Sequence, residues 1–213
     1  MTPPDGQTYD QWLRRDDVDA VAAMCRFFIE DDPVHHTLRK IANKLDELGI
    51  PYAIVGGMAL GAHHFVRATL DVDILVSADG LGKTHDNLDG RGFVRPFAGS
   101  RNLRDVETGV RIEFVVQGQF PGDGKPKPVA FPDPGETGEV VNGIRYLRLL
   151  PLVEIKLASG MTNPGRLRDL ADVQELIRVL QLPLEFAQQL NPYVREKFEE
   201  LWQALASSPP LEE

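Results

Sequence analysis

The amino-acid sequence predicts an α/β or α+β core followed by a helical C-terminal part. Short apolar runs, typical of strands, are concentrated in the middle third of the chain, whereas apolar residues spaced three and four apart fill the last third. Because 42% of the 213 residues are hydrophobic, the chain can also bury a core of ordinary size. We therefore predict three parts: an N-terminal helical extension over residues 1–32, a core over residues 33–150 and a helical region over residues 151–213.

The first part of the chain is predicted to form two helices. Residues 16–30 place apolar side chains on one face, and the Asp-Asp-Pro segment at residues 31–33 ends this helix and caps the next. Residues 33–48 then carry apolar side chains at the spacing that one buried stripe requires. The stripe consists of Val34, Leu38, Ile41, Ala42, Leu45 and Leu48.

The middle of the chain alternates between predicted strands and short helices. Residues 52–55 form an apolar run suited to a buried strand, and residues 58–65 follow a glycine pair as a short helix. Residues 70–77 are the next predicted strand. A helix near residues 84–88 and a short strand around Phe93 come after it.

The second half begins with a predicted hairpin and ends in helices. Residues 103–106 and 110–116 pair around a Thr-Gly turn, residues 117–139 are rich in Gly and Pro and predict a surface loop, and residues 140–147 suggest another hairpin. From Pro151 onward the pattern is helical. The predicted helices cover residues 152–159, 165–180, 184–190 and 193–206.

Charge and composition exclude several classes of protein. With 23 Lys and Arg against 32 Asp and Glu, the net charge of -9 argues against broad, non-specific nucleic-acid binding. No apolar run approaches the roughly 20 residues that a bilayer span needs. Cys25 is the only cysteine, which excludes an intramolecular disulfide and a multi-cysteine zinc site. The N-terminus lacks a secretory pattern, so we expect a cytoplasmic protein.

Two acidic residues in the strand predicted at residues 70–77 point to metal chemistry. Alternate side chains of a strand face the same way, so Asp71 and Asp73 share one face while Leu70, Val72 and Ile74 take the other, toward a core. Two carboxylates on one face repel each other, and a divalent cation between them removes that penalty. Hard oxygen ligands favour Mg²⁺ or Mn²⁺.

A glycine pair and a third carboxylate complete the candidate site. Gly56-Gly57 lies at a predicted strand-to-helix turn, where glycine allows close approach of a ligand and free N–H groups can bind phosphate. In the run Arg111-Ile112-Glu113-Phe114, Ile112 and Phe114 face the core, so Glu113 lies on the opposite face, beside the Asp pair if the strands are adjacent. Three carboxylates can hold two metal ions about 3.5 to 4 Å apart.

Residues 55–76, VGGMALGAHHFVRATLDVDILV, resemble the signature of the nucleotidyltransferase superfamily, whose fold is polymerase-β-like. The segment matches a hydrophobic residue, a glycine pair, a spacer and then Asp-hydrophobic-Asp-hydrophobic. The approach Arg67-x-Thr69-x-Asp71 is also common in minimal members of that superfamily. The resemblance implies a minimal mixed sheet flanked by helices, with a helical C-terminal part.

The resemblance also implies roles for individual residues. Asp71 and Asp73 would bind metal, Glu113 would complete the metal site, and the glycine pair would hold the triphosphate. Arg67 and Thr69 would take part in nucleotide binding, with Arg67 offsetting charge on the phosphates.

The C-terminal region is similar to a narrower group. Lys156-Leu157-Ala158-Ser159, followed by the segment RLRDLADV at residues 166–173, resembles the AbiEii-type nucleotidyltransferases, the toxin components of some bacterial toxin–antitoxin pairs. This resemblance implies that Lys156 contacts the triphosphate and contributes to catalysis, and that Asp169 supports nucleotide binding. It also implies an antitoxin protein as partner.

The expected activity is the Mg²⁺- or Mn²⁺-dependent transfer of a nucleoside monophosphate from an NTP to an acceptor hydroxyl. The AbiEii resemblance suggests RNA, such as a tRNA end, as the acceptor. One alternative is a small-molecule acceptor, as in the aminoglycoside and lincosamide nucleotidyltransferases. The other is a non-catalytic protein that binds nucleotide or a partner, against which the intact Asp71 and Asp73 argue.

Overall fold

The computed structural model describes residues 8, 11, 26, 27 and 30–207. The helix predicted over residues 16–30, with Cys25, therefore lies outside the described residues except for Arg26, Phe27 and Glu30. The chain divides into two compact units. The first comprises the described residues up to 62, residues 66–117 and residues 133–147, and the second comprises residues 63–65, residues 118–132 and the described residues from 148 onward. None of the described helices has the length and hydropathy that crossing a bilayer would need.

A mixed β-sheet forms the centre of the first unit. In the described part of the chain it has seven strands, which are β1 Tyr52–Val55, β2 Asp71–Val76, β3 Phe93–Val94, β4 Leu103–Asp105, β5 Arg111–Val116, β6 Gly138–Val141 and β7 Ile144–Leu147. They lie in the order β3-β4-β5-β2-β1-β7-β6. Strand β2 runs antiparallel to β1 and parallel to β5, and β1 runs parallel to β7. This sheet confirms the predicted α/β class.

Four described helices accompany the sheet in the first unit: α1 Pro33–Glu47, α2 Gly56–Ala62, α3 Ala78–Leu88 and α4 Pro134–Thr137. Helix α1 begins where the sequence predicts, because the Asp32 carboxylate accepts a hydrogen bond from the N–H of Val34 at 2.7 Å and Pro33 follows it. The predicted apolar stripe is buried on α1 except for Leu48, which lies after the helix and is exposed.

The alternation of the strands fixes which side chains enter the core of the first unit. Val72 and Ile74 on β2 and Ile112 on β5 are fully buried, while the acidic residues of both strands take the other face. The prediction that Leu70 also faces the core is wrong. Leu70 is 42% exposed because it precedes the first residue of β2 and has no pairing partner on a neighbouring strand.

The second unit is helical, as its apolar spacing predicts. Its longer described helices are α5 Leu149–Thr162, α6 Leu167–Val179 and α7 Pro192–Ser207, and two 3-10 helices cover Pro164–Arg166 and Leu184–Gln189. The rings of Phe186 and Phe198 lie 5.5 Å apart, and Trp202 Nε1 donates to the carbonyl oxygen of Leu182 at 2.9 Å. These contacts hold the last helix against Leu182 and the second 3-10 helix.

Local capping explains where elements differ from their predicted bounds. Helix α3 begins at Ala78 rather than near residue 84, because Ser77 Oγ accepts from the N–H of Gly80 at 2.9 Å. The predicted loop at 117–139 contains α4, which the Asp133 side chain caps. Residues 184–189 form a 3-10 helix instead of the predicted α-helix. This 3-10 helix is a short element that lies between Pro183 and Pro192.

Candidate functional site

The three predicted acids meet on one face of the sheet. Asp71 and Asp73 lie on β2, which pairs with β5 so that Asp73 is directly opposite Glu113. Each of the three residues is partly buried, and each offers a carboxylate oxygen that lies within 4.8 Å of those of the other two. The sequence puts the two Asp residues on one face through their spacing, but only the strand register brings Glu113 beside them.

The backbone of Gly56 lies directly against this cluster. Its φ of +63° lies in the left-handed region that favours glycine, at the point where β1 ends and α2 begins. A Cβ atom on residue 56 would be 1.9 Å from Asp73 Oδ2. Since no side chain fits there, the backbone of Gly56 can lie directly against the carboxylate, and glycine is required for both conformation and space.

Gly57, Arg67 and Thr69 come together next to the acids. A Cβ atom on Gly57 would lie 3.1 Å from Thr69 Oγ1 and 3.3 Å from Arg67 Nη1. The Thr69 hydroxyl donates a hydrogen bond to Asp71 Oδ1 at 2.8 Å. Thr69 therefore orients one carboxylate of the cluster, and the arginine guanidinium lies over the glycine turn.

Arg111 is a member of the cluster that the sequence reasoning missed. Its Nη2 lies 3.1 Å from Asp71 Oδ2 and 2.9 Å from Glu113 Oε1. Burial lowers the pKa of the Arg111 guanidinium, but Glu113, Asp71 and Asp73 outweigh it and hold this pKa above its ordinary value. The available signal was the alternation on β5, which puts residues 111 and 113 on the same face.

Lys156 and Asp169 lie in the second unit, where they contact each other. Lys156 Nζ is 3.1 Å from Asp169 Oδ1 and 2.7 Å from Asp172 Oδ2, with only 4% of the lysine side chain exposed. Ser159 Oγ also donates to Asp169 at 2.7 Å. The network joins α5 to α6. Asp172, which the sequence analysis did not select, lies one helical turn after Asp169 and faces the same way.

This buried network predicts a stability effect. Replacing Lys156 with Met leaves the buried Asp172 carboxylate without its lysine, which is expected to lower the free energy of unfolding by about 3–5 kcal/mol. Urea unfolding followed by tryptophan fluorescence measures it. Lys83→Met, at an exposed pair with Asp79, is the control and should cost at most about 1 kcal/mol. Equal losses in the two variants would contradict the structural role of Lys156.

A cavity of about 350 Å³ in the first unit adjoins the glycine turn. Gly57 and Arg67 line it, and both lie near Thr69, whose hydroxyl donates to Asp71. Its volume lies in the range of sites that hold small molecules. The apolar side chains of Leu38, Met58 and Ile144 also line the cavity. Its polar lining includes Tyr146, His35 and Arg39.

Comparison with known proteins gives likenesses in structure only. No family model matches the chain, and no curated protein matches it in sequence. One similar solved structure is ANT(2")-Ia in complex with adenylyl-2"-tobramycin, with 12% identity over 81% of this chain and 98% of that chain and a TM-score of 0.48.

Two further solved structures are similar to the chain. A nucleotidyltransferase-like antigenic protein from Paracoccidioides brasiliensis is 20% identical over 80% of this chain and 84% of its own, with a TM-score of 0.44. A proposed nucleotidyltransferase from Thermotoga maritima is 15% identical over 67% of this chain and 91% of its own, with a TM-score of 0.43. Because these TM-scores stay below 0.5, the likenesses by themselves show nothing about the function of the chain.

Proposed function

We propose that the protein is a metal-dependent nucleotidyltransferase that transfers a nucleoside monophosphate from an NTP to an acceptor hydroxyl. The observation that carries this proposal is the group of three carboxylates, Asp71, Asp73 and Glu113, within 4.8 Å of one another and against a glycine turn. Three like charges held so closely repel one another, and Arg111 offsets one of them, so a divalent cation bound by the same oxygens would lower the remaining repulsion.

The donor set fits a hard divalent cation. Asp71, Asp73 and Glu113 would hold Mg²⁺ or Mn²⁺ through carboxylate oxygens, and Gly56 leaves room for the Asp73 carboxylate where any side chain would collide with it. When bound, the cation supplies charge stabilisation on the phosphates and makes the acceptor hydroxyl easier to deprotonate.

The remaining residues position the reactants. We propose that Gly56, Gly57 and Arg67 bind the β and γ phosphates, and that Thr69 keeps Asp71 oriented through its hydrogen bond. The acceptor oxygen then forms a bond to the α-phosphorus as the bond to the bridging oxygen breaks and pyrophosphate leaves. Glu113 orients the acceptor hydroxyl or takes its proton.

The roles of Lys156 and Asp169 in nucleotide binding stay predictions. The pairing of the Lys156 ammonium with Asp169 and Asp172 supports a structural contribution as well. A cytoplasmic location and an antitoxin partner also stay predictions. The location depends on sequence composition alone, and the antitoxin partner depends on the AbiEii resemblance alone.

The acceptor is proposed to be RNA, with a tRNA end as the first species to test. A small-molecule acceptor is the second candidate, and the cavity of about 350 Å³ beside Gly57 and Arg67 favours it because its volume suits a drug-sized compound. The net charge of -9 also favours that second candidate, since an acidic chain on average repels the phosphate backbone of RNA.

Transfer of label from each α-labelled NTP tests the proposal. The wild-type protein and Asp73→Ala are incubated with Mg²⁺ and total tRNA, and in parallel reactions with aminoglycosides and lincosamides. Label on tRNA with the wild-type protein alone supports RNA transfer, and label on a drug alone supports the second candidate. Nucleotide binding without any labelled acceptor supports a non-catalytic protein and contradicts the proposed transfer.

A further inference from the structure

Four charged side chains share the face of β2 and β5 that carries the acids. The strand register sets Asp71 opposite Arg111 and Asp73 opposite Glu113. Three of these side chains are acidic, and the fourth is the basic Arg111. The pattern is therefore a carboxylate cluster with one cation of its own, held on the same two strands.

The guanidinium of Arg111 joins carboxylates from both strands. One nitrogen, Nη2, lies 3.1 Å from Asp71 Oδ2 on β2 and 2.9 Å from Glu113 Oε1 on β5. A divalent cation bound by the cluster would use carboxylate oxygens of these same residues. The arginine and an incoming cation therefore compete for Asp71 and Glu113.

Electrostatics and exposure make this competition reversible. Three carboxylates within 4.8 Å repel one another, and the arginine lowers their formal charge from three negative to two. The Arg111 side chain is 56% exposed, so solvent screens its pairs and leaves room for the guanidinium to move away from the carboxylates. A divalent ion carries twice the charge of the Arg111 guanidinium and can displace it from the carboxylates.

We propose that Arg111 is a positioning residue that acts as the built-in counter-ion of the acidic cluster. It holds Asp71 and Glu113 together in the cation-free protein, and it weakens the binding of a divalent cation because the cation must displace it or lie beside it. The identity of the cation rests on the proposed function. The competition itself depends only on the charges and distances at β2 and β5.

Calorimetric titration with Mn²⁺ alone, without nucleotide or acceptor, tests this role on the full chain. Arg111→Gln is expected to bind Mn²⁺ about tenfold more tightly than wild type. Arg111→Lys restores the charge and should stay within about threefold of wild type. The matched control is Arg178→Gln, since Arg178 is 54% exposed and also pairs with a carboxylate, that of Glu175, outside the cluster. It should leave the affinity unchanged.

Equal or weaker Mn²⁺ binding by Arg111→Gln overturns the proposal, and so does an absence of Mn²⁺ binding by both wild type and variant. Should Arg111→Gln fail to fold, the wild-type protein still decides the matter. The NMR signal of the Arg111 guanidinium should shift on addition of Mg²⁺ while that of Arg178 does not, and an unshifted Arg111 signal refutes displacement. Tighter binding by Arg111→Gln in a protein without transferase activity would support this inference while contradicting the proposed function.

Discussion

Asp73→Asn is expected to lower nucleotidyl transfer by at least about 10³-fold in kcat/KM while the protein stays folded. The substitution removes the carboxylate that lies against Gly56 and opposite Glu113, and with it one anionic ligand of the proposed cation. Because the amide has nearly the same size and shape as the carboxylate that it replaces, the variant should still show a thermal unfolding transition without metal. Label transfer and a thermal melt measure the two effects.

Asp79→Asn is the control for this variant. Asp79 has an exposed carboxylate that pairs with Lys83 on α3, so the same chemical change there should leave transfer unchanged. If Asp73→Asn keeps more than about a tenth of wild-type activity, the carboxylate cluster is not the metal-binding centre of the reaction.

Gly56→Ala is expected to reduce transfer by about 100-fold or more, with a loss of stability of at least about 1–2 kcal/mol. The reason is twofold: residue 56 has φ of +63°, and an added Cβ would be 1.9 Å from Asp73 Oδ2. Either the backbone or the Asp73 carboxylate must move, and both belong to the proposed site. Steady-state kinetics and denaturant unfolding test the two effects.

Gly82→Ala, on helix α3 and away from the cavity, is the matched control. A Cβ at residue 82 meets no atom within 4 Å, and the residue has no positive φ. Alanine is the better helix former there, so this variant should be neutral or more stable by about 0.5–1 kcal/mol. Wild-type activity in Gly56→Ala would show that the close contact between Gly56 and Asp73 has no functional importance.

Much of the sheet and its acidic face could be predicted from local sequence. Alternation in β2 assigns Asp71 and Asp73 to one face and Val72 to the core, and the structure agrees. The same reasoning gave Glu113 its face on β5. Its position opposite Asp73 required a register between strands forty residues apart, which periodicity along one strand does not contain.

The partners of the basic residues could not be predicted for the same reason. Arg111 contacts Asp71 only because β2 and β5 are neighbours, and Lys156 meets Asp172 only because α5 packs on α6. Each pairing depends on tertiary packing, whereas spacing within the sequence shows which face a side chain takes. The start of α3 was missed even though the sequence contains a signal for it, because Ser77, which caps the helix, was not used as a capping residue.

Anomalous diffraction from crystals of the protein soaked with Mn²⁺ shows directly whether Asp71, Asp73 and Glu113 form a divalent-cation site. We expect an anomalous peak about 2 Å from carboxylate oxygens of all three residues, and no such peak in crystals of Asp73→Asn. A strong peak elsewhere with none at the three acids, or a peak that persists unchanged in the variant, would contradict it.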